Sequence, residues 1–165
     1  MLRSSLIAAA VLTVDQLTKA WIVVNYPLGW ERQIVPGLFR LVHTRNRGVA
    51  FGLLGTSGPV VQIGLLVLIV VVVGYITWQL VRGGTDGATR IALSLVLGGA
   101  LGNLVDRVLR GEVVDFLLFY VRSGGRELAW PAFNVADSAI SVGASLVILA
   151  EILSAVRSKR VPLDR

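Results

Sequence analysis

Four long apolar runs, at residues 4–24, 59–81, 88–108 and 133–156, dominate the chain. Each is near the ~20 residues that a helix needs to cross a hydrocarbon core of ~30 Å. The pattern predicts an all-α integral membrane protein with four transmembrane helices. An even number of spans puts both termini on one side, together with the short connection at residues 82–90. The tail Arg157-Ser-Lys-Arg160 is the densest basic cluster, and by the positive-inside rule it makes that side cytoplasmic. The opening Met1-Leu-Arg-Ser-Ser-Leu-Ile could begin a cleaved leader, but Asp15 follows the apolar run and three further spans come later, so it reads as a retained first span.

The polar stretches between spans carry a second pattern. Residues 33–44 place β-branched and aromatic residues around Pro36-Gly37, which predicts a short strand pair on the membrane surface and hence a small extracytoplasmic β-containing segment. Arg40 and His43 within it would face headgroups or substrate backbone. Thr56-Ser-Gly-Pro59 reads as a turn and a helix start. Trp21, Tyr26, Trp30, Phe116, Phe119, Tyr120, Trp130 and Phe133 all fall near outer span ends, as an interfacial aromatic belt would.

Composition agrees with a bilayer setting. Of 165 residues, 55% are hydrophobic and 16% charged, with a mean hydropathy of +0.75. This length suits a single membrane-embedded domain, residues 1–165, with no room for a large soluble one. The net charge of +6 is scattered among apolar spans, which fits anionic phospholipid headgroups and argues against nucleic acid as a partner. Without cysteine there is no disulfide, thiol nucleophile or Cys-ligated metal.

Candidate chemistry lies where ionisable residues interrupt apolar spans. Asp15 is mid-span, where a lone carboxylate costs roughly 2.5–3.5 kcal/mol, and Lys19 one turn later shares its helix face. An internal ion pair that fixes helix packing is the preferred reading, with Lys19 also able to snorkel outward. Gly98, Gly102 and Asp106 form one stripe in the third span, with Asn103 and Arg107 beside it. Arg107 could pair with a carboxylate, and this cluster would brace a site.

Asp115 lies just beyond the third span and Asp137 about one turn into the fourth, both at the outer edge. A polar turn at residues 122–127 would let the chain double back and bring them together. Two carboxylates in one desolvated site cannot both ionise cheaply, which is the division of labour needed for peptide hydrolysis. Alternatively, Asp115 faces water in a loop and Asp137 caps the fourth helix. Asn46, Asn103 and Asn134 are plausible amide partners, and Ser141 and Ser145 continue the Asp137 face as a stripe turned inward.

Five blocks, Asp15-Gln-Leu-Thr-Lys19, Asn46-Arg-Gly-Val-Ala-Phe51, Gly102-Asn-Leu-Val-Asp-Arg107, Val113-Val-Asp-Phe116 and Phe133-Asn-Val-Ala-Asp137, resemble in order those of lipoprotein signal peptidase, the signal peptidase II family. The resemblance implies an aspartic endopeptidase of the bacterial plasma (inner) membrane that removes signal peptides from diacylglyceryl-modified prolipoproteins, cutting before the lipidated cysteine. It implies Asp115 and Asp137 as catalytic, with Asp15, Lys19, Asn46, Gly102, Asn103, Asp106, Arg107, Asn134 and Ala136 as supporting residues. It implies no metal or organic cofactor, and a monomer whose site faces the extracytoplasmic side. The Gly-rich stretch between the two aspartates looks long for the family and would affect how the site is covered.

Rival chemistries fit less well. Gly55-Thr-Ser-Gly58 resembles a rhomboid-type nucleophile motif, but His43 is the only histidine and sits in an outer loop. The same scarcity opposes a metalloprotease. An ion-coupled transporter would want carboxylates near the midplane and repeat symmetry, whereas these cluster toward one face.

Overall fold

A computed structural model of the chain describes residues 2–48 and 59–158. The elements run α1 (Leu2–Asn25), β1 (Glu31–Val35), β2 (Phe39–Asn46), α2 (Pro59–Arg82), α3 (Gly87–Arg110), β3 (Val113–Ser123), β4 (Arg126–Ala129) and α4 (Val135–Ser158). All four helices are long and apolar enough to cross a membrane, and at ~1.5 Å per residue each exceeds the hydrocarbon thickness. The expected turn at residues 56–58, the Gly55–Gly58 motif and the end of the Asn46–Phe51 block lie outside the described residues.

Packing centres on α3, which is wedged between α1 and α4, while α2 lies against α3. Small residues allow this closeness. A Cβ built on Gly98 would sit 2.6 Å from the Ala8 carbonyl oxygen of α1, and one on Gly99 2.4 Å from that of Ala136 in α4. On the α4 side the matching residue is Gly143, packed on Ala92 and Val96. Of the two serines expected to turn inward, Ser141 is accessible but lines the cavity shared with Asp137, and Ser145 is exposed. The helix's close-contact stripe passes through Gly143, and side-chain volume, more than polarity, decides which face docks.

Both ends of α3 are specified locally. Asp86 caps the start, accepting from the Ala88 and Thr89 amides, and Gly111 ends it in the left-handed region at φ 74°, its N–H bonded to the Arg107 carbonyl. The sharp stop sends the chain straight into β3, which fixes Asp115 beside the end of the bundle.

All four strands form one antiparallel sheet in the order β1-β2-β3-β4. The expected strand pair is present as β1 and β2. The polar turn expected at residues 122–127 is present as the turn of a β3–β4 hairpin, made at Gly124 (φ 58°) and Gly125 (φ 75°), while the two strands it joins were not foreseen. Ile22 of α1 packs with Val114 and Phe116 to hold the sheet on the bundle.

That packing also changes the expected aromatic belt. Phe116 and Tyr120 are buried, whereas Trp21, Trp30, Phe119 and Trp130 remain at least partly open. Arg40 and His43, expected to face headgroups or substrate, are both buried in the sheet region, with His43 also on the wall of a cavity over the sheet. Arg40 is buried over the Tyr120 ring at 3.8 Å and donates to Glu127 at 2.5 Å, and His43 donates from Nδ1 to the Tyr26 carbonyl at 2.8 Å.

Candidate active site

A buried ionic joint underlies the site. Lys19 and Asp15 are both wholly inaccessible, with Nζ 2.8 Å from Asp15 Oδ2 and 3.0 Å from Asp106 Oδ2. The i to i+4 spacing in α1 sets the first contact, and α3 supplies the second. The expected snorkelling of Lys19 does not occur, because two carboxylates and the Asn103 carbonyl hold its ammonium inside. Asp15 Oδ1 accepts from the Ala136 amide at 2.9 Å, tying α1 to the first turn of α4. Asp106 accepts from the Val114 amide at 3.1 Å and pairs with Arg110. Gly102 makes room, since a Cβ there would stand 2.5 Å from Asp15 Oδ2. Satisfying every acceptor in this way is what makes buried charges tolerable.

Asp115 and Asp137 sit above this joint, bridged by two asparagines. Asn134 donates from Nδ2 to Asp115 Oδ1 at 2.7 Å, and Asn103 donates from Nδ2 to Asp137 Oδ1 at 2.7 Å. The Asn134 amide also reaches Asn103 Oδ1 at 3.3 Å, linking the two halves. Asp137 and Asn134 form a reciprocal cap on α4: the Asp137 amide donates to Asn134 Oδ1 at 2.9 Å, and Asp137 Oδ2 accepts from the Asn134 amide at 3.3 Å. The capping role foreseen for Asp137 and its place beside Asp115 therefore coexist. Asp115 is not in an exposed loop but is a buried strand residue.

Burial pushes the Asp115 carboxyl up to about 7, the charge of Asp137 adds to this, and hydrogen bonds from Asn134 and Asn46 with the charge of Lys19 oppose it. Among the described residues, Arg107 does not pair directly with a carboxylate. It donates to the Gly48 carbonyl at 2.8 Å and to that of Asn103 at 3.3 Å, facing the aspartates only at a distance. Gly48 in turn donates to Asn46 Oδ1 at 2.8 Å, so Arg107 and Asn46 brace the same piece of chain.

Two cavities meet here. One, about 280 Å³, has walls of Leu65, Leu68, Ile69 and Val72 from α2 and reaches Asn103, Asp115 and Asp137. The other, about 640 Å³, opens over the sheet between Trp30, Glu112 and Trp130 and also reaches Asp115. An apolar groove and a more polar one thus share a carboxylate. Among the described residues, no group of three or more His, Cys, Asp or Glu side chains is placed to hold a metal.

Sequence reading passed over Gln16, whose amide touches Asp15, the Gly102 carbonyl and Asp106 at 3.1, 3.0 and 3.3 Å. Its place beside Asp15 in a polar block was the available signal. Glu112 was also passed over. It pairs with Arg45 and Arg47 at 2.7 and 3.3 Å across more than sixty residues of sequence, a separation with no local trace.

Known proteins share this sequence pattern and fold. Residues 7–153 match the family model described as signal peptidase (SPase) II. A lipoprotein signal peptidase of Syntrophotalea carbinolica is 45% identical over 153 residues, covering 92% of both chains. One of Cupriavidus necator is 45% identical over 145 residues, 88% of this chain and 80% of the relative. A bacterial membrane enzyme solved by the in meso method at 2.3 Å superposes with a TM-score of 0.83 at 29% identity, over 99% of this chain and 96% of the other. A second, solved by the same method at 1.9 Å, gives 0.75 at 32% identity, over 91% and 92%. With a match running from the first helix into the fourth, the chain belongs to the signal peptidase II family.

Proposed function

We propose that Asp115 and Asp137 are the catalytic pair of this peptidase, with Asn46, Asn103, Arg107 and Asn134 holding them and Asp15, Lys19, Gly102, Asp106 and Ala136 forming the support beneath. The observation that carries the assignment is two carboxylates, both lining one apolar cavity and joined by an Asn134–Asn103 bridge. As a signal peptidase II, the enzyme is an aspartic endopeptidase that removes signal peptides from diacylglyceryl-modified prolipoproteins, cutting before the lipidated cysteine.

We assign the shared proton to Asp115, whose carboxyl burial raises to about 7, and the role of base to Asp137. Asp137 takes a proton from water as its oxygen attacks the scissile carbonyl carbon, and Asp115 donates to the carbonyl oxygen. On collapse, the C–N bond breaks, the leaving amine takes the proton from Asp137, and Asp115 recovers its own. The apolar cavity against α2 suits the signal segment within the bilayer, and the diacylglyceryl group anchors the cysteine at headgroup depth.

The chain is one membrane-embedded domain that works as a monomer among phospholipids, since one copy supplies both carboxylates. Both termini are cytoplasmic and the site is extracytoplasmic. The sheet occupies the end of the bundle opposite Arg82 and the C-terminal end of α4, from which the basic sequence follows, and this supports that orientation.

The test is cleavage of a diacylglyceryl-modified prolipoprotein by detergent-purified protein, comparing wild type with Asp115→Asn and Asp137→Asn at matched folding. Loss in both variants is expected, and cleavage persisting in either one defeats the pair. Equal cleavage of unlipidated precursor would defeat the anchoring role.

A further inference from the structure

The ammonium of Lys19 has three N–H groups and three acceptors within reach: Asp15 Oδ2 at 2.8 Å, Asp106 Oδ2 at 3.0 Å and Asn103 Oδ1 at 3.0 Å. It can only donate, so the Asn103 atom facing it must be the carbonyl oxygen. The NH2 group of Asn103 is then forced to the other side, where it meets Asp137 Oδ1 at 2.7 Å. Asn134 Nδ2, which also points at Asn103 Oδ1, enforces the same orientation. Asn134 is fixed in turn, because the Asp137 amide requires its oxygen while Asp115 Oδ1 and the Val114 carbonyl require its nitrogen.

We propose that Lys19 is a positioning residue: through the side-chain amide of Asn103 it locks an N–H donor onto Asp137 and so selects Asp137 as the ionised member of the pair. This rests on the Asp115–Asp137 reading and deepens it. Without the ammonium, Asn103 Oδ1 keeps only the 3.3 Å contact from Asn134 Nδ2, whose two N–H groups are already engaged by Asp115 at 2.7 Å and the Val114 carbonyl at 3.2 Å, so Asn103 can turn its carbonyl toward Asp137, and a carboxylate facing a carbonyl is stable only when protonated. The proton would then move to the wrong partner. The charged groups facing Asp137 are Asp115 from β3, Lys19 and Asp15 from α1, and Arg107 from α3. The α2 side presents only apolar side chains to the shared cavity. The Lys19 charge is shared by the Asp15 and Asp106 carboxylates, whereas the Asn103 amide touches Asp137 directly, which makes amide polarity the nearer lever.

The experiment measures kcat, KM and the pH profile of lipidated-substrate cleavage in three variants, with melting in detergent as the folding control. Asn103→Leu keeps both carboxylate partners of Lys19. It should lose about tenfold to a hundredfold in kcat, the worth of a hydrogen bond to a charged group, with KM within about twofold. Asn103→Asp should be worse at neutral pH and recover as the medium is acidified, because a protonated carboxyl there can present its carbonyl to Lys19 and its O–H to Asp137. Asp15→Asn with Lys19→Met, a charge-balanced pair, should be as stable as wild type yet as slow as Asn103→Leu.

Wild-type kcat in Asn103→Leu overturns the inference. So does an Asn103→Asp profile that only scales down without acid recovery, or recovery of kcat in the folded double variant. If the double variant does not fold, the Asn103→Asp profile decides alone. Asp137→Asn is run alongside: cleavage there removes the catalytic pair itself, whereas a dead Asp137→Asn beside a fully active Asn103→Leu removes only the positioning role.

Discussion

Replacing Asp115 by Asn should stabilise the protein, and by an amount that depends on pH. The carboxyl is held at about 7, against 3.8 for an ordinary aspartate. A group raised on folding binds more protons in the folded than in the unfolded chain between those two values, so its contribution to stability is fully present below ~4 and is lost as pH rises toward 7. At ~1.4 kcal/mol per pH unit, the loss approaches ~4 kcal/mol above pH 7, an upper figure because local relaxation softens buried charges. Asn is close to isosteric, and its carbonyl can still accept from Asn134.

The variant removes the penalty without removing the packing. Melting temperatures of wild type and Asp115→Asn, measured in one detergent from pH 4 to pH 9, should coincide at pH 4 and diverge through pH 7. Above that the gap should be constant, at several degrees and at most roughly 15 °C in favour of the variant. A gap independent of pH, or one that favours wild type at pH 8, refutes the burial argument for Asp115.

Activity should share this window: kcat/KM should fall on an alkaline limb near pH 7 as Asp115 loses its proton, and a limb above pH 9 would assign the acid to another group. Gly102→Ala should cost about 1–3 kcal/mol in stability and reduce turnover, because its methyl would stand 2.5 Å from Asp15 Oδ2 and push that carboxylate off Lys19; melting and cleavage rates check it together. Tyr120→Phe should cost about 1 kcal/mol by orphaning the Gly37 amide, which donates to the Tyr120 hydroxyl at 2.9 Å, while leaving kcat within about twofold.

The helices were legible because a membrane span writes itself as uninterrupted apolar sequence, and the observed ends lie within about two residues of the expected ones. The Asp15–Lys19 pair was legible because both residues lie on one helix a turn apart. The β3–β4 hairpin was less visible. In Val113–Ser123 both faces carry apolar residues and the first four positions are all buried, so no period-two alternation marks the strand. The Lys19–Asp106 and Arg40–Glu127 pairs join distant segments, and no local pattern announces them. Inward-facing serines were expected from spacing alone, and the docking stripe of α4 proved to follow Gly143.

The unequal burial of the helices sets their freedom to drift. The membrane-spanning part of α3 is 39% buried and that of α2 6%. Lineages carrying this fold can rewrite most of α2 so long as it stays apolar and leaves the cavity wall open. On α3, where Gly98, Gly99 and Gly102 each meet a neighbour closer than a methyl group allows, almost any change must be answered by another on α1 or α4. Substitutions should therefore accumulate singly on the one helix and in compensating pairs on the other.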